Sequence, residues 1–141
     1  MEDVKLKCVV VDDSGLQRLS MVKLIKDHPN LQLVGEFSNA IETKNGLLDL
    51  GVDLLFLDVE MPILSGFDLL DDLRNKPLII FVTGKTQYAH KAFDYEAIDY
   101  IHKPVTRDRF NKAAAKAIGL YKLQNDKSSV EDDRFIFVKS N

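Results

Sequence analysis

The stretch LLFLDVEMP, residues 54–62, decides the fold. Four consecutive apolar residues run into Asp58, and Met61-Pro62 then breaks the pattern. A continuous apolar run of this length suits a strand buried on both faces, as in a parallel sheet covered by helices; a strand with one wet face would alternate. CVVV at 8–11 and LIIFV at 78–82 read the same way. Together with two weaker runs they predict strands over Lys7–Asp12, Leu31–Phe37, Asp53–Asp58, Leu78–Thr83 and Ile98–His102.

Helical patterning fills the intervals. Ser14–Asp27 is rich in Leu, Met, Val and Ile and is stopped by His28-Pro29-Asn30. Asn39–Leu50 opens with Asn39 three residues before Glu42, a capping pair, and ends at Gly51. Ser65–Arg74 and Thr86–Glu96 are shorter, and Thr106–Gln124 repeats Phe110, Ala113, Ala114, Ala117, Ile118 and Tyr121 at helical spacing. Alternating strands and helices with short connections predict an α/β fold with right-handed crossovers. The expectation is a flavodoxin-like three-layer sandwich, a five-stranded parallel sheet in the order 2-1-3-4-5 with five helices.

The domain read in this way covers residues 1–124. Residues 125–133 (NDKSSVEDD) are polar and read as a linker, and residues 134–141 (RFIFVKSN) resume a β-type pattern, as the start of a further, truncated domain would.

With 141 residues, 45% of them apolar, the chain can bury a real core. A net charge of -3 argues against non-specific binding to nucleic acid or an anionic membrane. The lone Cys8 excludes an internal disulfide and reads as small buried filler. MEDVKLK has no apolar stretch of signal-peptide length, and no segment is long enough to cross a bilayer, so a cytoplasmic protein is expected.

Open α/β sheets bind ligands beyond the carboxyl ends of their strands, near the point where strand order reverses. The first strand ends in Asp12 and Asp13, the third in Asp58, the fourth in Thr83, and the fifth just before Lys103-Pro104. Crowded carboxylates repel by about 4 kcal/mol for a pair about 4 Å apart at an intermediate dielectric. A raised pKa or a bound cation relieves that repulsion. An oxygen-rich cluster without His or Cys suits a hard ion such as Mg²⁺. A carboxylate nucleophile, a divalent metal, a hydroxyl and an ammonium are the parts for phosphoryl transfer to Asp58.

VVVDDS at 9–14, LLFLDVEMP with Gly66, FVTG at 81–84 and DYIHKP at 99–104 resemble the landmarks of response-regulator receiver domains of two-component systems, in order and spacing, over residues 5–123. The resemblance implies a phosphoprotein with Asp58 as phosphoacceptor, forming an aspartyl phosphate. It also implies Mg²⁺ held by Asp12, Asp13, Asp58 and the backbone carbonyl of Glu60. Thr83 and Lys103 would bind phosphoryl oxygens, and Tyr100 with Thr83 would form the switch. Lys103-Pro104 would be a cis peptide. Met61-Pro62 and Gly66 would shape the loop over the site, and Gly84 would leave room for a phosphodonor. The implied partners are a sensor histidine kinase and a second copy bound through the fourth helix, fifth strand and fifth helix. QYAHKAFDYEAIDY and RFIFVKSN resemble the LytTR-type transcriptional regulators, so DNA is expected as a partner only through the missing C-terminal domain. Such a domain is not an enzyme in the ordinary sense, although it catalyses its own phosphorylation and dephosphorylation. Ser14 departs from the pattern, since many family members carry a third acidic residue there. Glu60 stands where its side chain would tune phosphate lifetime in either direction.

Rival readings fail on particular residues. Gly84-Lys85-Thr86 imitates the end of a P-loop, but Ile79 stands where the leading glycine belongs. A haloacid-dehalogenase-type phosphatase would need Asp in place of Glu60 and Thr in place of Pro62. A flavodoxin would not place Asp12 and Asp13 against a flavin phosphate. His28, His90 and His102 share no metal spacing and read as surface residues. The alternative of a different class is a receiver-shaped module that only dimerises, against which the full set of Asp12, Asp13, Asp58, Thr83 and Lys103 argues.

Overall fold

A computed structural model describes the backbone of residues 4–138 and the side chains of residues 4–125. The strands are β1 Leu6–Val11, β2 Leu31–Phe37, β3 Leu54–Leu57, β4 Leu78–Thr83 and β5 Asp99–His102. The helices are α1 Gly15–Lys26, α2 Ala40–Gly46, α3 Gly66–Asp72, α4 Ala89–Asp94 and α5 Arg107–Val138. All strand pairs are parallel, in the order β2-β1-β3-β4-β5 expected from the alternation.

The apolar runs are continuous because each central strand feeds two cores. Leu6, Cys8, Val10, Leu54, Phe56, Ile80, Val82 and Ile101 face α1 and α5, where Phe56 stacks on Phe110 at 5.3 Å. The alternate residues Val9, Val11, Leu55, Leu57, Ile79 and Phe81 face α2, α3 and α4. Cys8 is fully buried, and burial pushes its thiol pKa up to about 12, so it packs as the expected inert filler.

Local chemistry sets most helix starts. Ser14 accepts from the Gln17 N–H, Asn39 accepts from the Glu42 N–H, and Thr106 accepts from the Arg109 N–H. Ser65 and Asp68 form a complete capping box. At the far end of the sheet, Arg109 grips Asp99 with two hydrogen bonds of 2.9 and 2.7 Å, and Lys116 adds a third at 3.2 Å. Burial opposes ionisation of Asp99, but these cationic donors outweigh it and hold its pKa at about 2, tying β5 to α5.

The structure corrects several boundaries. Asp12 and Asp58 lie just beyond their strands, freeing both side chains at the sheet edge. The second helix stops at Gly46 and tightens into a 3-10 turn over Leu47–Asp49 before Gly51, whose φ of 61° turns the chain. The fourth helix begins at Ala89 rather than Thr86, because 86–88 form a turn, and Glu96 in a left-handed conformation follows its end. His28 is half-buried, its ring edge-on to Phe110 at 6.4 Å, rather than a surface residue; burial lowers its pKa. Helix α5 continues through the 125–133 segment read as a linker and into residues 134–138, read as β-type. Neither Pro nor Gly follows Gly119 to stop the helix. The remaining residues of the expected further domain, 139–141, lie outside the described residues.

Gly66 sits where α3 meets the end of β3. Its N–H donates to the Val59 carbonyl at 2.8 Å, and an added Cβ would lie 2.4 Å from the Asp58 carbonyl oxygen. Gly84 has nothing within 4 Å of such a Cβ. Gly66→Ala is therefore expected to lower stability in urea unfolding by about 1–3 kcal/mol, the range of overpacked cores. Gly84→Ala should stay within about 0.5 kcal/mol of the parent, as open sites usually do.

Candidate functional site

Three strand ends build one cluster. The Asp12 N–H donates to the Phe37 carbonyl and the Asp58 N–H donates to the Val11 carbonyl, so the sheet hydrogen bonding carries on past the last strand residues. That ladder places Asp12 and Asp58 side by side. Asp12, Asp13 and Asp58 each offer a carboxylate oxygen within 4.8 Å of the others. Asp12 is 2% and Asp58 5% exposed, whereas Asp13 is open to solvent.

Lys103 arrives from the fifth strand. Its N–H donates to the Thr83 carbonyl at 2.8 Å, and the Lys103-Pro104 peptide that follows is cis, as the resemblance implies. The ammonium reaches Asp12 Oδ2 at 2.7 Å and Asp58 Oδ2 at 3.4 Å. Burial opposes its charge, but the two carboxylates prevail and leave the Lys103 pKa raised. For Asp58, burial dominates and pushes the pKa up; Lys103 pulls it down, Asp12 pushes it up, and the balance lies at about 6.

The Asp12 side chain also accepts from the Ser14 N–H at 2.9 Å. That contact ties the cluster to the start of α1, at the residue where a third acid was absent. Thr83, 1% exposed, ends β4, and its hydroxyl oxygen accepts from the Lys85 N–H. Tyr100 packs its ring 6.4 Å from Phe81, and its hydroxyl donates to the Lys85 carbonyl. Thr83 and Tyr100 thus meet through one loop residue. The Glu60 side chain accepts from the Tyr88 hydroxyl at 2.9 Å.

Two contributors escape sequence reading. Arg18 donates to the Asp12 carbonyl at 2.8 Å and to Glu36 at 3.2 Å, bracing the loop after β1. Tyr88 reaches Glu60 across 28 positions of sequence. No local signal marks either residue, because each acts through a contact that only the assembled sheet creates. Chemically, the cluster is a set of hard oxygen donors that could hold a metal, beside a buried carboxylate and a cation. Among the described residues no helix is long and apolar enough to cross a membrane.

The family model of the response regulator receiver domain matches residues 8–115. The chain is 36% identical over 113 residues to the transcriptional regulatory protein BtsR of Escherichia coli (strain K12), covering 79% of this chain and 47% of that protein. BtsR of Salmonella typhimurium is 34% identical over 125 residues, covering 87% of this chain and 50% of the relative. The chain thus spans about half the length of these curated relatives. Among solved structures, the response regulatory domain of protein mrkE from Klebsiella pneumoniae superposes with a TM-score of 0.77 at 30% identity, covering 84% of this chain and 99% of that one. The REC domain of AraT from Geobacillus stearothermophilus gives 0.73 at 27% identity, covering 84% and 98%.

The electrostatics of Asp58 are directly measurable in protein stripped of divalent ions by chelator. Its carboxyl carbon, followed by NMR, should titrate near pH 6 rather than near 4, and Lys103→Ala should move the midpoint higher by removing the neighbouring cation. Because the folded pKa is raised, this group favours folding below about pH 4 and that contribution is lost as pH rises through about 6. Asp58→Asn should remove that part of the stability-versus-pH curve.

Proposed function

This chain belongs to the response regulator receiver domains, and from that premise we propose that Asp58 accepts a phosphoryl group from the phosphohistidine of a sensor histidine kinase in the cytoplasm. The observation that carries the reading is a buried carboxylate at the carboxyl end of the sheet, flanked by Asp12 and Asp13 and contacted by Lys103. An Asp58 oxygen attacks phosphorus as the P–N bond breaks, and the imidazole leaves with the electron pair. Lys103 binds one phosphoryl oxygen and Thr83 donates its hydroxyl to another, so both offset the charge of the transferred group.

The donor chemistry of Asp12, Asp13 and Asp58, with the Glu60 carbonyl, fits Mg²⁺. When bound there, Mg²⁺ supplies positive charge that makes the approach of an anionic phosphodonor tolerable. Hydrolysis of the aspartyl phosphate in the same site makes the domain catalyst and substrate of its own dephosphorylation.

The signal leaves through Thr83 and Tyr100. A phosphoryl group that draws the Thr83 hydroxyl also perturbs the Lys85 segment on which the Tyr100 hydroxyl rests. That coupling favours one arrangement of α4, β5 and α5 over another, since only differential affinity shifts a population. The same face carries Phe93, 79% exposed, together with the Asp99, Arg109 and Lys116 ion cluster, which suits a homodimer. A LytTR-type DNA-binding domain beyond this chain would make the whole protein a transcriptional regulator.

Incubation with Mg²⁺ and acetyl phosphate should add one phosphoryl group by intact-mass measurement. The gain should disappear in Asp58→Asn and when the cation is chelated. An unmodified mass at every donor concentration would instead identify a module that works only by association. Sedimentation with Mg²⁺ and beryllofluoride is expected to show increased self-association, and an unchanged sedimentation coefficient would reject the dimer.

A further inference from the structure

The Glu60 side chain is the acidic group two residues past the phosphoacceptor, and it is not free. The Tyr88 hydroxyl donates to its Oε2 at 2.9 Å, joining the loop after β3 to the turn before α4. The Tyr88 ring is fixed in turn, edge-on to Phe67 at 6.0 Å. Phe67 is buried and packs against Phe81 at 5.1 Å and Tyr95 at 5.0 Å. Lys91 holds its ammonium 4.6 Å from the Phe67 ring centroid, over the same patch. Asp13, Glu60, Pro62, Tyr88 and Lys91 line one open cleft beside the acidic cluster. A rigid aromatic stack thus presents one hydroxyl to one carboxylate at the mouth of the site.

We propose that Tyr88 is a positioning residue that holds the Glu60 carboxylate on the α4 side of the mouth and thereby lengthens the life of the aspartyl phosphate. This rests on the phosphoacceptor reading of Asp58. In hydrolysis, water attacks phosphorus opposite the Asp58 oxygen, the P–O bond to Asp58 breaks, and Asp58 leaves with the electron pair as a carboxylate. The attacking water must give up a proton. A released Glu60 is an acceptor for that proton, whereas a Glu60 bonded to Tyr88 has one oxygen occupied and its direction set.

Tyr88→Phe removes the hydroxyl and keeps the ring on Phe67. In phosphorylated full chain, freed of donor and kept in Mg²⁺, this variant should lose phosphate about threefold to tenfold faster, short of the roughly 10²–10⁴ of a fully aligned general base. Its rate of phosphorylation by acetyl phosphate should not change, which a general structural defect would not spare. Adding Glu60→Gln should abolish the acceleration, because an amide cannot take up the proton. An unchanged or longer lifetime in Tyr88→Phe overturns the proposal, as does an acceleration that persists in the double variant. If the parent protein takes no phosphoryl group, the acceptor reading fails, and with it the lifetime role.

Discussion

A nearly buried carboxylate at the end of a nearly buried strand is the constraint on which the rest depends. Asp58 is 5% exposed, follows the fully enclosed LLFL run, and shares its surroundings with a second buried acid, Asp12. Desolvation and like charge both oppose ionisation there. The parallel sheet supplies the relief. The β4–β5 pairing aligns Thr83 with His102, so the next residue, Lys103, projects at the same edge and reaches both acids. The partial compensation leaves Asp58 with a pKa near 6, a carboxylate held in an environment favourable to any further positive charge.

This geometry was legible in the sequence to an unusual degree because the information was local and periodic. Continuous apolar runs identified strands covered on both faces, and the last residue before each break named the group delivered to the edge. The strand order and the meeting of Asp12, Asp13, Asp58 and Lys103 followed from those two readings. Ser14 and Asn39 announced their helix starts through side-chain chemistry that acts within one turn.

Elements governed by distant contacts were not legible. The expected fourth helix, Thr86–Glu96, exceeds the observed one because nothing in KTQYAH states that 86–88 must first turn, with Tyr88 set against Phe67 and Glu60. The half-burial of His28 depends on Phe110, which lies on the last helix. Arg18 braces the backbone of Asp12 through a contact that depends on β2 bringing Glu36 beside it. The fifth helix overran its expected end for a different reason. A polar segment without Gly or Pro fits a solvated helix as well as it fits a linker, and composition alone does not separate the two.

The proposed switch rests on how the end of β4 is tied to β5. Thr83 is rigidly held, since β4 is buried on both faces and its carbonyl binds the Lys103 N–H. The backbone just after it is less constrained: Gly84 has open space around it and Lys85 is exposed. Yet that short segment carries two separate attachments, the Lys85 N–H to the Thr83 hydroxyl and the Lys85 carbonyl to the Tyr100 hydroxyl. In the proposed switch, a change in the bonding of one hydroxyl would act on this doubly attached segment. Packed cores resist small continuous deformation, whereas a loop with two hydrogen-bonded anchors can exchange one partner for another. In the proposed switch, a change at Thr83 would reach Tyr100 on β5 through the Lys85 segment, and from there the face shared by α4, β5 and α5.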